Sequence, residues 1–294
     1  MDTLDRMRMF VAVTETGSFT AAGDQLGLSK NLVSKGVAEL ENRLGARLLH
    51  RTTRSLSLTD AGQRYLGRCK QLLSELEALE DSVNADETRL RGILRVTVPS
   101  TFGELYVVSA AAEFCRLHPE VTIDMRLNDR FVDIVSEGFD LGVRIGHLSD
   151  SSFVARRLGS TKIWVVGSPD FVARHGEPAS PADLHRFNCV RDTNFRSGNA
   201  WHFVIDGTPQ DVAVTGPILV NSARSGRDIA LCGLALAYCP DYVVRSDVEG
   251  GRLKRILPHV PTLKLPIHAI YSNSRHLPAR VRAFMAFLAE RIKG

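Results

Sequence analysis

The sequence predicts two domains of different fold class, joined by one long helix. They are an N-terminal all-α winged helix-turn-helix domain and a C-terminal α/β domain of two lobes. Residues 17–44 have the spacing of two helices joined by a tight turn. Residues 58–83 keep apolar side chains in a heptad-like seam. From Gly92 onward, strand-like and helix-like segments alternate, as in domains with a largely parallel sheet.

The stretch 17–44 predicts the helix-turn-helix. Ser18 and Ser29 suit the N-cap positions of its two helices, and Gly27 permits the turn between them. The apolar side of the second helix carries Leu32, Val33, Val37, Leu40 and Leu44. Its other side shows polar donors of the kind that reach base edges in the major groove. The simpler alternative is a helical hairpin with a solvated polar face.

Two short alternating segments, 47–51 and 55–58, predict a β-hairpin wing after this unit. A first amphipathic helix over residues 4–14 can close the small core. Because the wing is basic, its arginines can reach phosphates or the minor groove. The predicted DNA-binding residues are Ser29, Lys30, Asn31, Ser34, Lys35, Arg51, Thr53 and Arg54.

A long helix is predicted from residue 59 to about residue 85, with apolar residues spaced alternately by four and three. No second long helix lies nearby in the sequence, so we expect the seam to pack against another copy of the chain. The alternative is packing against its own domain. The predicted dimer-interface residues are Tyr65, Cys69, Leu72, Leu76, Leu79 and Val83. The polar stretch 84–90 is the expected linker.

The predicted domains are residues 1–59 (DNA-binding), 60–90 (linker and dimerisation helix) and 91–294. The last region reads as two α/β lobes between which the chain crosses near 159–162 and 264–267, which describes a periplasmic-binding-protein-like fold. Lobe I would hold residues 91–161 and 266–294, and lobe II residues 162–265. Strands are predicted at 93–98, 121–127, 140–145, 163–166, 201–205, 212–214, 234–238 and 265–271, and helices at 103–117, 131–137, 170–175, 222–232 and 279–292.

The motifs FTAA, LGLS, ELENRLGARLLHRTTR and LTDAG occur in order before residue 70, and GFDLGVRIG, ARRLG and LPIHAIY follow later. Through these motifs the chain resembles LysR-type transcriptional regulators. The resemblance implies double-stranded DNA as a partner, dimerisation through the long helix, assembly into a tetramer or a larger oligomer, and contact with RNA polymerase. It also implies a small-molecule effector bound between the two lobes.

Two features depart from the family pattern. Gly23 stands where alanine is usual, and Gly36 lies inside the recognition helix. Each glycine costs roughly 1 kcal/mol against alanine in a helix interior, so we interpret both as local softening. Asn31 and Leu32 replace the more usual Pro-Ala pair. The family's base preference therefore does not transfer to this chain.

Ligands of open α/β sheets bind beyond the carboxyl ends of strands, often at helix N-termini. The segments 99–101 and 221–222 occupy such places, and Arg144 ends another strand, so we expect a pocket for a small anion such as a carboxylate. The predicted effector-binding residues are Ser100, Thr101, Arg144, His202, Phe203, Asn221 and Ser222. The alternative is that the hydroxyl residues are plain helix caps.

The chain lacks the sequence motifs of common hydrolases, P-loop proteins and dinucleotide enzymes, so we expect no catalysis, no cofactor and no metal. Neither a signal peptide nor an 18-residue apolar run occurs, which favours a cytoplasmic protein. Its formal charge of +4 is modest, so DNA binding would depend on individually placed cations. Two alternative functions stay open. They are a redox sensor using Cys232 and Cys239, and a solute-binding protein without a regulatory role.

Overall fold

The computed structural model describes residues 1–51, 56–83, 90–130, 133–148, 153–195, 198–272 and 277–292. At the N-terminus, helices α1 (Thr3–Thr16), α2 (Phe19–Leu26) and α3 (Lys30–Leu44) precede strands β1 (Leu49–Arg51) and β2 (Leu56–Leu58). The long helix α4 (Asp60–Val83) follows. This order confirms the predicted winged helix-turn-helix with its linker helix.

Capping residues fix the helix-turn-helix. The hydroxyl of Ser18 accepts a hydrogen bond from the backbone N–H of Ala21, and that of Ser29 accepts one from Leu32. Gly27 has φ = +66°, in the left-handed region where a side chain would be strained. The core beneath is formed by α1, α2 and α3 with β1 and α4, and includes Phe10, Val33, Val37, Leu40, Leu48 and Cys69.

Gly23 and Gly36 are crossing points between elements. A Cβ atom at Gly23 would lie 2.6 Å from the carbonyl oxygen of Leu28, and one at Gly36 would overlap the sulfur of Met9. The interpretation of these glycines as local softening is therefore incomplete, because both allow a close approach that a methyl group would obstruct. At Gly23 the obstructing atom belongs to the backbone, whereas at Gly36 it belongs to the side chain of Met9. A larger residue would therefore be harder to accommodate at Gly23 than at Gly36.

The first half of α4 packs on its own domain. Cys69 is 1% exposed within the N-terminal core, and the ring centroid of Tyr65 lies 6.0 Å from that of Phe10. The prediction that Cys69 lies at a dimer interface is wrong, because this turn of α4 faces α1. Burial also raises the pKa of the Cys69 thiol to about 11.

The second half of α4 leaves apolar side chains in solvent. Leu72 is 44% exposed and Leu79 is 53% exposed, with Leu76 half-buried between them. Spacings of four and three place these leucines on one stripe of the helix. The side chain of Val83, which we expected at the end of this stripe, lies outside the described residues.

The C-terminal domain alternates strands and helices, as predicted. Its strands are β3 (Gly92–Val98), β4 (Val121–Leu127), β5 (Leu141–Ile145), β6 (Phe153–Gly167), β7 (Arg191–Asp192), β8 (Ala200–Ile205), β9 (Thr208–Ala213), β10 (Leu219–Val220), β11 (Ala237–Pro240), β12 (Lys254–Ile256) and β13 (Lys264–Ser272). Its helices are α5 (Ser100–Phe102), α6 (Val108–Leu117), α7 (Ile134–Glu137), α8 (Pro169–His175), α9 (Ala223–Leu231), α10 (Asp241–Glu249) and α11 (Ala279–Ile292). A π-helical turn (Gly103–Val107) links α5 to α6, and a 3-10 helix covers Pro181–Arg186.

A mixed sheet with the strand order β11-β6-β13-β5-β3-β4 is the frame of this domain, and β12 also pairs with β6. Strands β3, β4 and β5 pair in parallel, whereas β13 runs antiparallel to both β5 and β6. The β6–β13 pair extends from Lys264 opposite Lys162 to Ser272 opposite Phe153, with a register shift between Ile267 and His268. It therefore passes through both segments where the sequence predicts a crossing.

Separate hydrophobic cores support the two lobes. In lobe I, α6 and α11 pack on one face of β3, β5 and β13, around Phe114 and Phe284. In lobe II, one core surrounds Phe171, Trp201 and Tyr238, and a neighbouring core packs α9 and α10 on β11. The expected helix at 279–292 has the predicted bounds.

Several elements differ from the sequence prediction. Helix α10 and strand β12 were not predicted, and β6 is 15 residues long where the sequence suggested only residues 163–166. The predicted strand at 234–238 begins only at Ala237, because Gly233 turns the chain with φ = +69° after α9. Of the predicted helix at 131–137, residues 131–132 lie outside the described ranges.

A polar junction connects the N-terminal domain and α4 to lobe I. The carboxylate of Glu15, on α1, pairs with Lys70 of α4 and Arg95 of β3, both at 2.9 Å. Ser74 of α4 donates to Asp140 at 3.0 Å. Further along α4, Glu77 pairs at 2.8 Å with Arg280. Helix α4 is thus held against the lobe by side chains on successive turns.

One glycine of α4 provides a test of the packing. A Cβ atom at Gly62 would overlap the carbonyl group of Leu48. Alanine normally stabilises a helix interior by about 1 kcal/mol over glycine, but overpacking against backbone costs about 1–3 kcal/mol. We therefore expect Gly62→Ala to lower the free energy of unfolding, measured by urea denaturation. The matched control is Gln63→Ala at the exposed neighbouring position; equal or greater stability of Gly62→Ala would contradict this packing.

Candidate DNA-binding and effector sites

The predicted recognition surface of α3 faces solvent. Lys30, Asn31 and Lys35 are exposed, and Ser34 is partly buried. Ser29 uses its hydroxyl to cap α3, so its contribution at this surface is first of all structural. The surface therefore presents two cations and an amide on adjacent turns, which can meet phosphates and base edges.

The apolar side of α3 is less completely buried than the sequence suggests. Val33, Val37 and Leu40 are fully buried, but Leu32 is 39% exposed and Leu44 is 40% exposed. Helical spacing puts Leu32 next to Lys35 on the solvent side of α3. The sequence pattern alone could not show that Leu32 lies outside the core. The wing residues Thr53 and Arg54, and the side chain of Arg51, lie outside the described residues.

The lobe I side of the cleft is formed where β3 ends and α5 begins. The backbone N–H of Ser100 donates to the carboxylate of Asp129 at 3.1 Å. Thr101, the next residue, is 5% exposed. A carboxylate of the protein thus occupies the helix N-terminus where the sequence suggested an external anion.

The lobe II side is formed by β7, β10 and the start of α9. Ser222 is at the N-cap of α9 with extended backbone, and its hydroxyl makes no capping hydrogen bond. The backbone carbonyl of Asn221 accepts a hydrogen bond from the Asn194 side chain at 2.7 Å. Ser222 therefore keeps a hydroxyl that capping does not use, which favours the ligand-binding interpretation over the plain cap.

Carboxylates from both lobes face each other across this cleft. Burial raises the pKa of Asp192, which precedes Asn194, and the negative charge of Asp129 in lobe I raises it further. The two carboxylates therefore repel each other, and a ligand or cation bound between them would change that repulsion.

Two contacts bridge the lobes beside the cleft. Glu104, in the π-helical turn, forms an ion pair at 2.7 Å with Arg224 of α9. An aromatic cluster joins Phe102 and Tyr106 of lobe I to Tyr242 of α10, with ring centroids 5.2–5.8 Å apart. Aromatic pairs at such separations are worth about 0.5–1.5 kcal/mol each beyond their burial. The lobes therefore meet through an exposed ion pair and through an aromatic cluster that includes Phe102 of the lobe I core.

Arg144 is buried on the sheet of lobe I. It is 7% exposed and donates to the backbone carbonyl of Val143 at 2.8 Å and to the hydroxyl of Thr97 at 3.0 Å. Its Nε has no hydrogen-bond partner among the residues that the structure describes. Burial lowers the pKa of Arg144 to about 10, although Asp129 and Glu137 oppose that change. The charge predicted for this position is present, and no acidic residue in the described part of the chain pairs with it.

Two predicted effector residues lie elsewhere. Phe203 is 1% exposed in the core of lobe II, where its ring packs near Tyr238, so its prediction as a pocket residue is wrong. His202 points to the other face of the β8–β9 hairpin and pairs with Asp211. The alternation of this strand indicated one buried face, but it did not indicate whether that face belongs to the core or to the cleft.

The structure does not support the alternative that the protein is a redox sensor using Cys232 and Cys239. Cys239 is buried and its thiol contacts the carbonyl of Ala223, and burial raises its pKa far above the ordinary value, which disfavours a reactive thiolate. Cys232 is exposed at the end of α9. Among the described residues, no group of three His, Cys, Asp or Glu side chains could hold a metal, and no helix is long and apolar enough to span a bilayer.

Comparisons with known proteins agree with this architecture. Residues 4–63 match the model of the bacterial regulatory helix-turn-helix proteins of the lysR family, and residues 87–293 match the LysR substrate binding domain. An HTH-type transcriptional regulator of Xanthomonas campestris is 37% identical over 97% of this chain and 84% of its own length. The regulator PtxR of Pseudomonas aeruginosa is 35% identical over 98% of this chain and 93% of its own.

Solved structures show the same likeness over the full length. CrgA of Neisseria meningitidis, described as a LysR-type transcriptional regulator, has 29% identity and a TM-score of 0.65, covering 99% of both chains. The full-length virulence activator AphB of Vibrio cholerae has 25% identity and a TM-score of 0.62, covering 99% of both chains.

Proposed function

This chain belongs to the LysR family of DNA-binding transcriptional regulators, and we propose that it controls transcription in response to a small effector bound between its lobes. The observation that carries this proposal is the pairing of an exposed polar recognition helix with a cleft whose lobes are bridged by an ion pair and an aromatic cluster. Action in the cytoplasm, contact with RNA polymerase, assembly beyond a dimer and the absence of catalysis all remain predictions.

We propose that α3 enters the major groove with Lys30, Asn31, Ser34 and Lys35. The exposure of the three longer side chains supports this arrangement. Lysines that neutralise phosphates supply affinity without sequence preference, whereas an amide can form paired hydrogen bonds with adenine. The contributions of Arg51, Thr53 and Arg54 in the wing stay predictions from the sequence.

Asn31→Ala should change base preference at roughly 1–3 kcal/mol for each affected base contact, because it removes a directional donor and acceptor. Selection of bound sites from a randomised DNA library would measure this change. Asn42→Ala, at an exposed position near the other end of α3, is the matched control. An unchanged preferred site for Asn31→Ala would place Asn31 away from the bases.

We propose that dimerisation uses the exposed stripe of α4 formed by Leu72, Leu76 and Leu79. A stripe of apolar side chains open to solvent is unusual in a monomer and suits a helix–helix seam. Tyr65, half-buried against the N-terminal core, could contribute only at the edge of such an interface.

Replacing Leu72 and Leu79 by Asp should break the dimer, because it places charges in the proposed seam. Both side chains are already exposed, so the monomer should keep its fold, as measured by circular dichroism. Sedimentation velocity should show monomers for this variant and dimers for the control Gln63→Asp. An intact dimer in the double variant would refute this interface.

We propose that the effector binds between Thr101 of lobe I and Ser222 of lobe II and changes the closure of the lobes. Two observations support this site: the hydroxyl of Ser222 is not used to cap α9, and the contacts that bridge the lobes lie beside it. A ligand shifts such an equilibrium only by its difference in affinity for the two states. Lobe I then acts on the N-terminal domain through the junction of α4 and Glu15.

The double variant Thr101→Val, Ser222→Ala should lose the transcriptional response while keeping DNA affinity close to normal, because it removes polar contacts from both sides of the cleft. The measurement is a reporter driven by the native operator under conditions that induce the wild type, together with DNA binding without effector. Ser109→Ala, on the exposed side of α6, is the control. A normal response of the double variant would place the effector elsewhere.

A further inference from the structure

We propose that a small anion, the carboxylate of the effector in the simplest case, binds to Arg144 and His268 beside Arg157 on the sheet of lobe I. This inference rests on the proposed effector response, and it adds a location for the anion on the sheet of lobe I and a residue that the sequence did not indicate, His268. It moves the anion from the N-terminus of α5, which Asp129 occupies, to the strands next to it.

The strand register brings these residues together. His268 of β13 lies opposite Arg144 of β5 on one side and opposite Arg157 of β6 on the other. Residues directly opposite in antiparallel strands share one face, with Cβ atoms about 5 Å apart. Three basic side chains on neighbouring strands therefore form one row, and Thr97 of β3 lies on the same face as a hydroxyl partner of Arg144.

The row contains polar atoms that the protein leaves unsatisfied. Within the described part of the chain, Nε of Arg144 and Nδ1 of His268 are both buried without a hydrogen-bond partner. Arg144 binds only neutral oxygens, and no acidic side chain of the described residues lies within ion-pair distance of it. A buried cation without an anion is costly, and two buried nitrogens without partners add to that cost. A bound carboxylate would satisfy all three requirements.

The two acidic groups nearest to Arg144 each have another partner. Arg130 is bound to Glu137 at 2.7 Å, so Glu137 is already neutralised in part. Asp129 also lies near Arg144, but it accepts the backbone N–H of Ser100. Burial lowers the pKa of His268, and the charges of Arg157 and His147 lower it further, while the backbone at Gly146 opposes this. A bound anion would raise the pKa of His268, so binding should tighten as the pH falls.

The row also lies next to the effector cleft. His268 follows the register shift at which β13 passes from one lobe to the other, and Gly146, two residues after Arg144, hydrogen-bonds Pro266 of the same crossing. An anion held here would contact strands of the crossing itself. Binding of an anion at this position would therefore influence the angle between the lobes.

The test uses the full-length protein and sodium acetate as the probe. Thermal unfolding is followed as chloride is replaced by acetate at constant ionic strength. Wild-type protein should gain stability with acetate, and Arg144→Met should need at least tenfold more acetate for the same gain, because it loses a charge-assisted hydrogen bond. Arg156→Met, one residue from Arg157 and on the opposite face of β6, should respond like the wild type.

A second readout separates this role from a structural one. Without acetate, Arg144→Met should be about as stable as the wild type, because removal of a buried charge offsets the loss of its two hydrogen bonds to Val143 and Thr97. NMR titration of the His268 imidazole should show a pKa that rises with acetate in the wild type and not in Arg144→Met. If Arg144→Met does not fold, the acetate response of His268→Gln decides, and it should be weakened.

An equal acetate response of Arg144→Met and wild type would overturn the proposal, and so would an unshifted His268 pKa. The proposed cleft is tested independently by the reporter response of Thr101→Val, Ser222→Ala. Loss of that response with an unchanged acetate effect in Arg144→Met would retain the cleft and reject the anion site.

Discussion

The antiparallel pairing of β6 with β13 is the constraint on which the C-terminal domain depends. Both strands pass from one lobe to the other, so each lobe is completed by the two ends of the same ladder. The register shift between Ile267 and His268 lies within this ladder, and shifts of this kind bend a strand locally. Because both lobes share the strands, any change in their angle must be accommodated near this irregularity.

The polar groups near the crossing are arranged around this constraint. Asp241, at the start of α10, accepts a hydrogen bond from Thr161 of β6 at 2.6 Å and ties lobe II to the crossing strand. On the lobe I side, Nε of Arg144 and Nδ1 of His268 are left without a hydrogen-bond partner among the described residues. The crossing is thus satisfied on one side and unsatisfied on the other, and the anion proposal follows from that asymmetry.

Helix caps and apolar spacing predicted many helices and strands. Strand register and the packing between elements determined which of their side chains are buried. Caps such as Ser18 and Ser29 and the helical spacing at 279–292 depend on residues near one another in sequence, so their elements could be located. The burial of Phe203 and the alignment of His268 with Arg144 depend on strand register, which no local pattern contains. Cys69 fitted the heptad seam equally well, but only the packing of α1 decides which half of that seam is internal.

The junction at Glu15 has a thermodynamic consequence. Burial raises the pKa of this carboxyl group, but the charges of Arg95 and Lys70 outweigh that effect and hold its pKa below the ordinary value. One carboxylate therefore joins the recognition domain, the long helix and lobe I. Free-energy coupling through such a connection is reciprocal. Whatever factor the effector applies to operator affinity, the operator applies to effector affinity, so protein bound to DNA and protein free in solution would sense different concentrations of the same molecule.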